Sequence, residues 1–120
     1  MLFTKRTATL APQEAADAHA RGDLVLIDVR DASERAKTRV AGSLHMPLVE
    51  LSERRGELPR DRSLAFICAS GVRSAIAVKA TARHGLTAAN VKGGIASWTR
   101  AGLPLVTGPE PRTSETKWSR

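Results

Sequence analysis

Cysteine occurs once in the 120 residues, at position 68, and tyrosine not at all. A single thiol excludes an intramolecular disulfide framework and a cysteine-rich zinc site. The aromatic residues are two Phe and two Trp, so aliphatic side chains and alanine must fill the core. That scarcity also removes the platforms on which single-stranded nucleic acids stack. No apolar run approaches the length of a membrane-spanning helix. None follows Met1-Leu2-Phe3-Thr4-Lys5-Arg6 either, so no signal peptide is read. The expectation is a cytoplasmic chain with no membrane partner. Internal repeats are absent.

Acidic residues are outnumbered, 12 against 19 Lys and Arg, for a net charge of +7. The basic residues are scattered and form no block, which argues for a solvated arginine-rich surface and against a nucleic-acid partner. Such a surface attracts small anions. With 42% hydrophobic and 26% charged residues, the composition is that of one globular domain.

The apolar patterning alternates strand-like and helix-like segments. A short edge strand is expected within residues 3–10. Pro12-Gln13-Glu14 starts a helix that runs through Ala20 and stops at Gly22. Leu24-Val25-Leu26-Ile27 is a continuous apolar run, as in a strand buried on both faces, and it ends in Asp28-Val29-Arg30. A helical turn at Ser33-Glu34-Arg35 and a second strand at Gly42-Ser43-Leu44-His45-Met46-Pro47 follow. A short helix is expected over 48–55, then a central strand over 64–67 and an alanine-rich helix over 75–83 closed by His84-Gly85. Ala89-Asn90-Val91 reads as a last strand and Ile95-Ala96-Ser97-Trp98-Thr99 as a last helix. From Thr107 the chain is polar, with Pro109 and Pro111, and is expected to be an extended tail. Alternating strands and helices imply an α/β fold, a parallel sheet covered on both faces.

Cys68 stands where such folds place their chemistry, between the end of a strand and the start of a helix. The loop Ala69-Ser70-Gly71-Val72-Arg73-Ser74 is small-residued, and Gly71 can adopt an unusual backbone angle. The first N–H groups of a helix have no partner within it and carry partial positive charge. Wrapped around a sulfur, they form an anion-binding nest that favours thiolate, the reactive form. Arg73 adds a full charge. The competing reading is an inert core cysteine, which is common where this context is missing.

Four stretches in this order resemble a single-domain rhodanese, a sulfurtransferase. They are Asp28-Val29-Arg30 with Glu34; Val40-Ala41-Gly42-Ser43-Leu44-His45-Met46-Pro47; the loop of residues 68–74; and Gly93-Gly94-Ile95-Ala96-Ser97-Trp98 with Gly102-Leu103-Pro104. The resemblance spans roughly residues 5–106. It implies a three-layer fold with a five-stranded, mostly parallel sheet over residues 1–106, followed by a polar tail, 107–120. It also implies Cys68 as nucleophile, taking a sulfane sulfur from a small anionic donor such as thiosulfate, or from a persulfide, and passing it to cyanide or a thiol. Residues 69–74 would cradle the anion, with Arg73 as the main side-chain contact. Asp28, Arg30 and Glu34 would brace the loop, Glu34 as a partner for Arg30. No cofactor or metal is implied, and the chain would be a monomer or weak homodimer.

Arg73 is the fifth residue after Cys68, one fewer than in cysteine phosphatases of the related fold, which disfavours phosphate chemistry. Two departures from the family pattern stand out: Arg39 in place of the usual histidine, and Ala69 where thiosulfate-using members often carry a cation. The second leaves a persulfide donor, or a relay role toward a protein sulfur acceptor, as an alternative. A non-catalytic binding module is the further alternative. Trp98 reads as core and His45 as packing. His19 and His84 read as solvated helix ends, Ser74 as either site residue or helix cap, and Trp118 has no assigned role.

Overall fold

In the computed structural model, which describes residues 8–110, the chain enters as a short strand, β1 (Ala8–Leu10). The rest of the expected first strand and the end of the tail, Trp118 included, lie outside the described residues. Helix α1 (Pro12–Ala20) starts on Pro12, and the Glu14 carboxylate accepts the Ala11 N–H at 2.8 Å. Strand β2 (Leu24–Asp28) follows, then α2 (Ala32–Lys37), the two-residue strands β3 (Thr38–Arg39) and β4 (Leu44–His45), and α3 (Leu51–Arg54). The expected helix over 48–55 is broken: 3-10 turns at Leu48–Glu50 and Arg55–Glu57 flank α3. Strand β5 (Ser63–Ile67), helix α4 (Val72–Ala82), strand β6 (Ala88–Val91) and helix α5 (Gly94–Arg100) complete the alternation.

The main sheet has five strands in the order β1-β6-β5-β2-β4, and every pairing in it is parallel. In the central β5, Leu64, Phe66 and the following Cys68 belong to one core with Met46, Leu51, Ala77 and Val78, beneath α3 and α4. Ala65 and Ile67 face the opposite core, with Ala15, Ala18 and Trp98, beneath α1 and α5. This two-residue alternation explains why the run is apolar throughout. Trp98 is core, and its Nε1 donates to the Pro104 carbonyl at 3.0 Å.

A small second sheet was not expected. Strand β7 (Val106–Thr107) pairs antiparallel with β3, so residues 106–107 are strand at the head of the polar stretch. Among the described residues no helix is long and apolar enough to cross a membrane.

From β2 the chain moves outward to the edge strand β4, then returns on the other side of β2 as β5. The carboxyl ends of β2 and β5, paired at Asp28 and Ile67, therefore flank a topological switch point. Such points leave a crevice for ligands.

Candidate active site

Ile67 ends β5, and Cys68 is 1% exposed at the base of the loop that follows. Gly71, with φ +105°, caps α4 in a left-handed conformation that other residues rarely hold. The turn brings the Gly71 N–H to 3.1 Å and the Ser74 N–H to 3.3 Å from the Cys68 sulfur. Ser74 Oγ lies 3.4 Å from the same sulfur. Burial pushes the thiol up, but hydrogen bonds from the Ser74 hydroxyl and from the N–H groups of Ser74, Gly71 and Ser70 outweigh it. The net effect holds the Cys68 thiol below its ordinary range.

The loop amides are aimed from outside. At the start of α5 the Ile95 N–H donates to the Cys68 carbonyl at 2.8 Å, and the Ala96 N–H to the Ala69 carbonyl at 3.0 Å. In a trans peptide C=O and N–H point in opposite directions. Drawing the Ala69 carbonyl outward therefore turns the Ser70 N–H inward. This contact requires Gly94: a Cβ there would sit 2.2 Å from the Cys68 carbonyl oxygen and 2.7 Å from the Ala69 carbonyl carbon.

Arg73 is engaged rather than free. Its guanidinium donates twice to the Glu34 carboxylate, at 2.7 and 2.8 Å, and lies 3.6 Å from Asp31. Hydrogen bonding to Arg73 is the main reason the Glu34 carboxyl falls to about 2. Glu34 also accepts the N–H of Asp31, the cap of α2, so one carboxylate ties the starts of α2 and α4 together. The expected Glu34–Arg30 partnership is thus corrected. Arg30 donates Nε and a terminal nitrogen to Asp28 instead, at 3.0 and 2.8 Å. Only Val29 separates that pair, whereas reaching Glu34 would take Arg30 away from a carboxylate that is itself buried.

Asp28 is braced by a residue that the sequence did not single out. Arg35, 3% exposed, donates to Asp28 at 3.3 Å, to the Ser43 hydroxyl and carbonyl, and to both carboxylate oxygens of Glu110. Arg39, at the departure from the family pattern, donates to the Gly108 carbonyl and also faces Glu110, at 3.9 Å. The histidines differ from expectation at one position. His19 is bonded to the Ala41 carbonyl at 2.8 Å rather than simply solvated, because the chain returns over the end of α1. His45 meets the Arg30 carbonyl at 2.8 Å.

Asn90 is the other residue missed. From the end of β6 it accepts the Ser74 hydroxyl and donates to the Gly71 carbonyl at 3.3 Å. Its signal in the sequence was a lone polar residue in an apolar strand at the carboxyl edge of the sheet. Ser74 thus borders the Cys68 sulfur, and Gly71 holds the cap position. Among the described residues no cluster of His, Cys, Asp and Glu is arranged to hold a metal. The arrangement suits a buried sulfur nucleophile whose negative charge meets backbone amides.

Known proteins resemble this chain over most of the described residues. The rhodanese-like domain family matches residues 11–101. A sulfurtransferase of Allochromatium vinosum is 35% identical over 85 residues, covering 70% of this chain and 79% of that protein. YrkF of Bacillus subtilis, whose name describes a sulfur carrier, is 35% identical over 77 residues, covering 63% of this chain and 42% of its own. The crystal structure of a rhodanese-related protein from Thermoplasma volcanium superposes with a TM-score of 0.78 at 34% identity, over 82% of this chain and 97% of that one. The five-stranded parallel sheet, the cysteine loop at its carboxyl edge and these matches place the chain in the rhodanese-like domain family.

Proposed function

We propose that this protein is a sulfurtransferase working through a Cys68 persulfide, and that its donor is itself a persulfide rather than thiosulfate. The observation that carries the first half is the convergence of the Gly71 and Ser74 N–H groups on a buried sulfur. In the first step the Cys68 thiolate attacks the outer sulfur of the donor. A new S–S bond forms, the donor's S–S bond breaks, and the electron pair leaves with the donor thiolate. The donor enters as its persulfide anion, so the transferred sulfur keeps its own negative charge as the outer sulfur of Cys68, where loop amides stabilise it without reorganising. In the second step a thiolate or cyanide attacks that outer sulfur and the Cys68 thiolate leaves. Splitting the transfer through a covalent intermediate replaces one difficult step by two easier ones.

The second half rests on charge. Thiosulfate carries two negative charges, yet Arg73 is already paired with Glu34, and Ala69 supplies no cation. The loop is left with partial charges, which suit a singly charged persulfide group. Steady-state transfer to a thiol or cyanide should therefore show a higher kcat/KM with glutathione persulfide than with thiosulfate, by about tenfold for one missing charge contact. A preference for thiosulfate would contradict this and would mean that Arg73 leaves Glu34 when the donor binds.

The relay reading has support of its own in the resemblance to YrkF. In that variant the acceptor is a protein thiol, and small acceptors are served slowly.

A further inference from the structure

Ser74 Oγ has one proton to give and two acceptors beside it. Cys68 Sγ is 3.4 Å away, and Asn90 Oδ1 is hydrogen-bonded on the other side. Asn90 has no freedom to present its NH2 group to Ser74, because Nδ2 donates to the Gly71 carbonyl, which can only accept. Oδ1 therefore competes with the sulfur for the Ser74 proton. Ser74 is 0% exposed and Cys68 1%, so an unmet partner is costly to either.

We infer that Asn90 is a positioning residue acting through Ser74, and that it works against the loop amides by favouring a neutral Cys68 Sγ over the bare thiolate. In the thiol, S–H donates to Ser74 Oγ, which donates to Asn90, and every group is served. In the thiolate the Ser74 proton must choose. If it turns to the sulfur, Asn90 Oδ1 loses its donor; if it stays, the sulfur loses one. In the persulfide the charge has moved to the outer sulfur, Sγ is neutral again, and the Ser74 proton returns to Asn90. Asn90 thus opposes the amides at the free enzyme and supports the loaded one. The persulfide part rests on the proposed function; the thiol part does not.

The charged groups around this sulfur do not blur the reading. Helix α4 brings Arg73, and α2 brings Glu34 and its cap Asp31; Arg73 pairs with Glu34 and lies 3.6 Å from Asp31. The end of β2 brings Asp28 and Arg30, also paired, and His45 lies one strand further out, on the Arg30 carbonyl. The first turn of α5 carries no acid, and Lys92 lies two residues beyond Asn90.

The test is a pH titration of Cys68 by thiolate absorbance and by the rate of alkylation with iodoacetamide. Asn90→Leu should lower the midpoint by about one to two units, the worth of one hydrogen bond to a charged group. Ser74→Ala should raise it by a similar amount. In the Ser74→Ala background, Asn90→Leu should produce no lowering. If Asn90 merely held the loop, its loss would slacken the Gly71 amide and raise the midpoint with or without Ser74. A rise, an unchanged midpoint, or a lowering that survives in Ser74→Ala would each overturn the inference. Thermal melting monitored by circular dichroism establishes folding, and Asn90→Ala replaces Asn90→Leu if the latter does not fold. Loading with glutathione persulfide is measured separately, so a wild type that takes up no sulfur counts against the proposed function and leaves the thiol titration intact.

Discussion

At the scale of single residues, the site is a set of hydrogen bonds that meet at one sulfur, with one ion pair holding them in place. Glu34 grips Arg73 with both oxygens, and its carboxyl falls from 4.5 to about 2. A depressed carboxyl stabilises the fold above its unfolded value and loses that contribution as pH falls through its folded value. Glu34→Gln should therefore lower Tm at neutral pH, by the equivalent of about 1 kcal/mol once solvent screening of a one-third-exposed pair is allowed for. The gap between variant and wild type should close as pH is lowered from 4.5 toward about 2. Melting curves across that range check it, and a gap independent of pH would mean that Glu34 acts by packing or by capping α2.

At the scale of elements, the loop is shaped by two helix starts. Helix α4 supplies the Gly71 turn and the Ser74 amide, and α5 draws the Cys68 and Ala69 carbonyls outward. Gly94→Ala should upset this directly, since all three atoms its Cβ would meet are backbone atoms. The expected result is a stability loss of about 2 kcal/mol or more, with slower Cys68 alkylation because the amides leave the sulfur. Denaturant unfolding and iodoacetamide kinetics check both parts. The elements that frame this loop were legible in the sequence because each carries a pattern. The runs 24–27 and 64–67 are apolar throughout, the alanine-rich stretch favours helix, and the cysteine stands between strand and helix. Strands β3 and β7 have two residues each, too few to show any period, so their sheet was not. The partner of Arg73 was equally hidden. Glu34 lies 39 residues away in sequence, and only the return of the chain through the switch point brings α2 against α4. Asn90 was hidden because its value depends on Ser74, 16 residues away in helix α4.

At the scale of the molecule, a buried arginine network joins the site's supports to the segment after α5. Asp28 holds Arg30 and Arg35; Arg35 holds Ser43 and Glu110; Arg39 reaches Gly108 and Glu110. The Glu110 carboxyl is held below its usual range, mainly by the Arg35 hydrogen bond. Removing it strips the nearly buried Arg35 of an acceptor and Arg39 of a facing charge. Glu110→Ala should cost about 1 kcal/mol, seen as a lower Tm, and leave Cys68 alkylation close to wild type because Asp28 retains Arg30. A change in alkylation as large as that of Gly94→Ala would show that the network reaches the loop itself.

The central claim is that Cys68 carries transferred sulfur, and intact-mass spectrometry tests it most directly. Purified protein is mixed with glutathione persulfide, and separately with thiosulfate, without reductant and beside Cys68→Ser. The expected result is one added sulfur atom on the wild type alone, more complete from glutathione persulfide and removed by cyanide. No added sulfur from either donor, or equal addition to Cys68→Ser, would contradict the account.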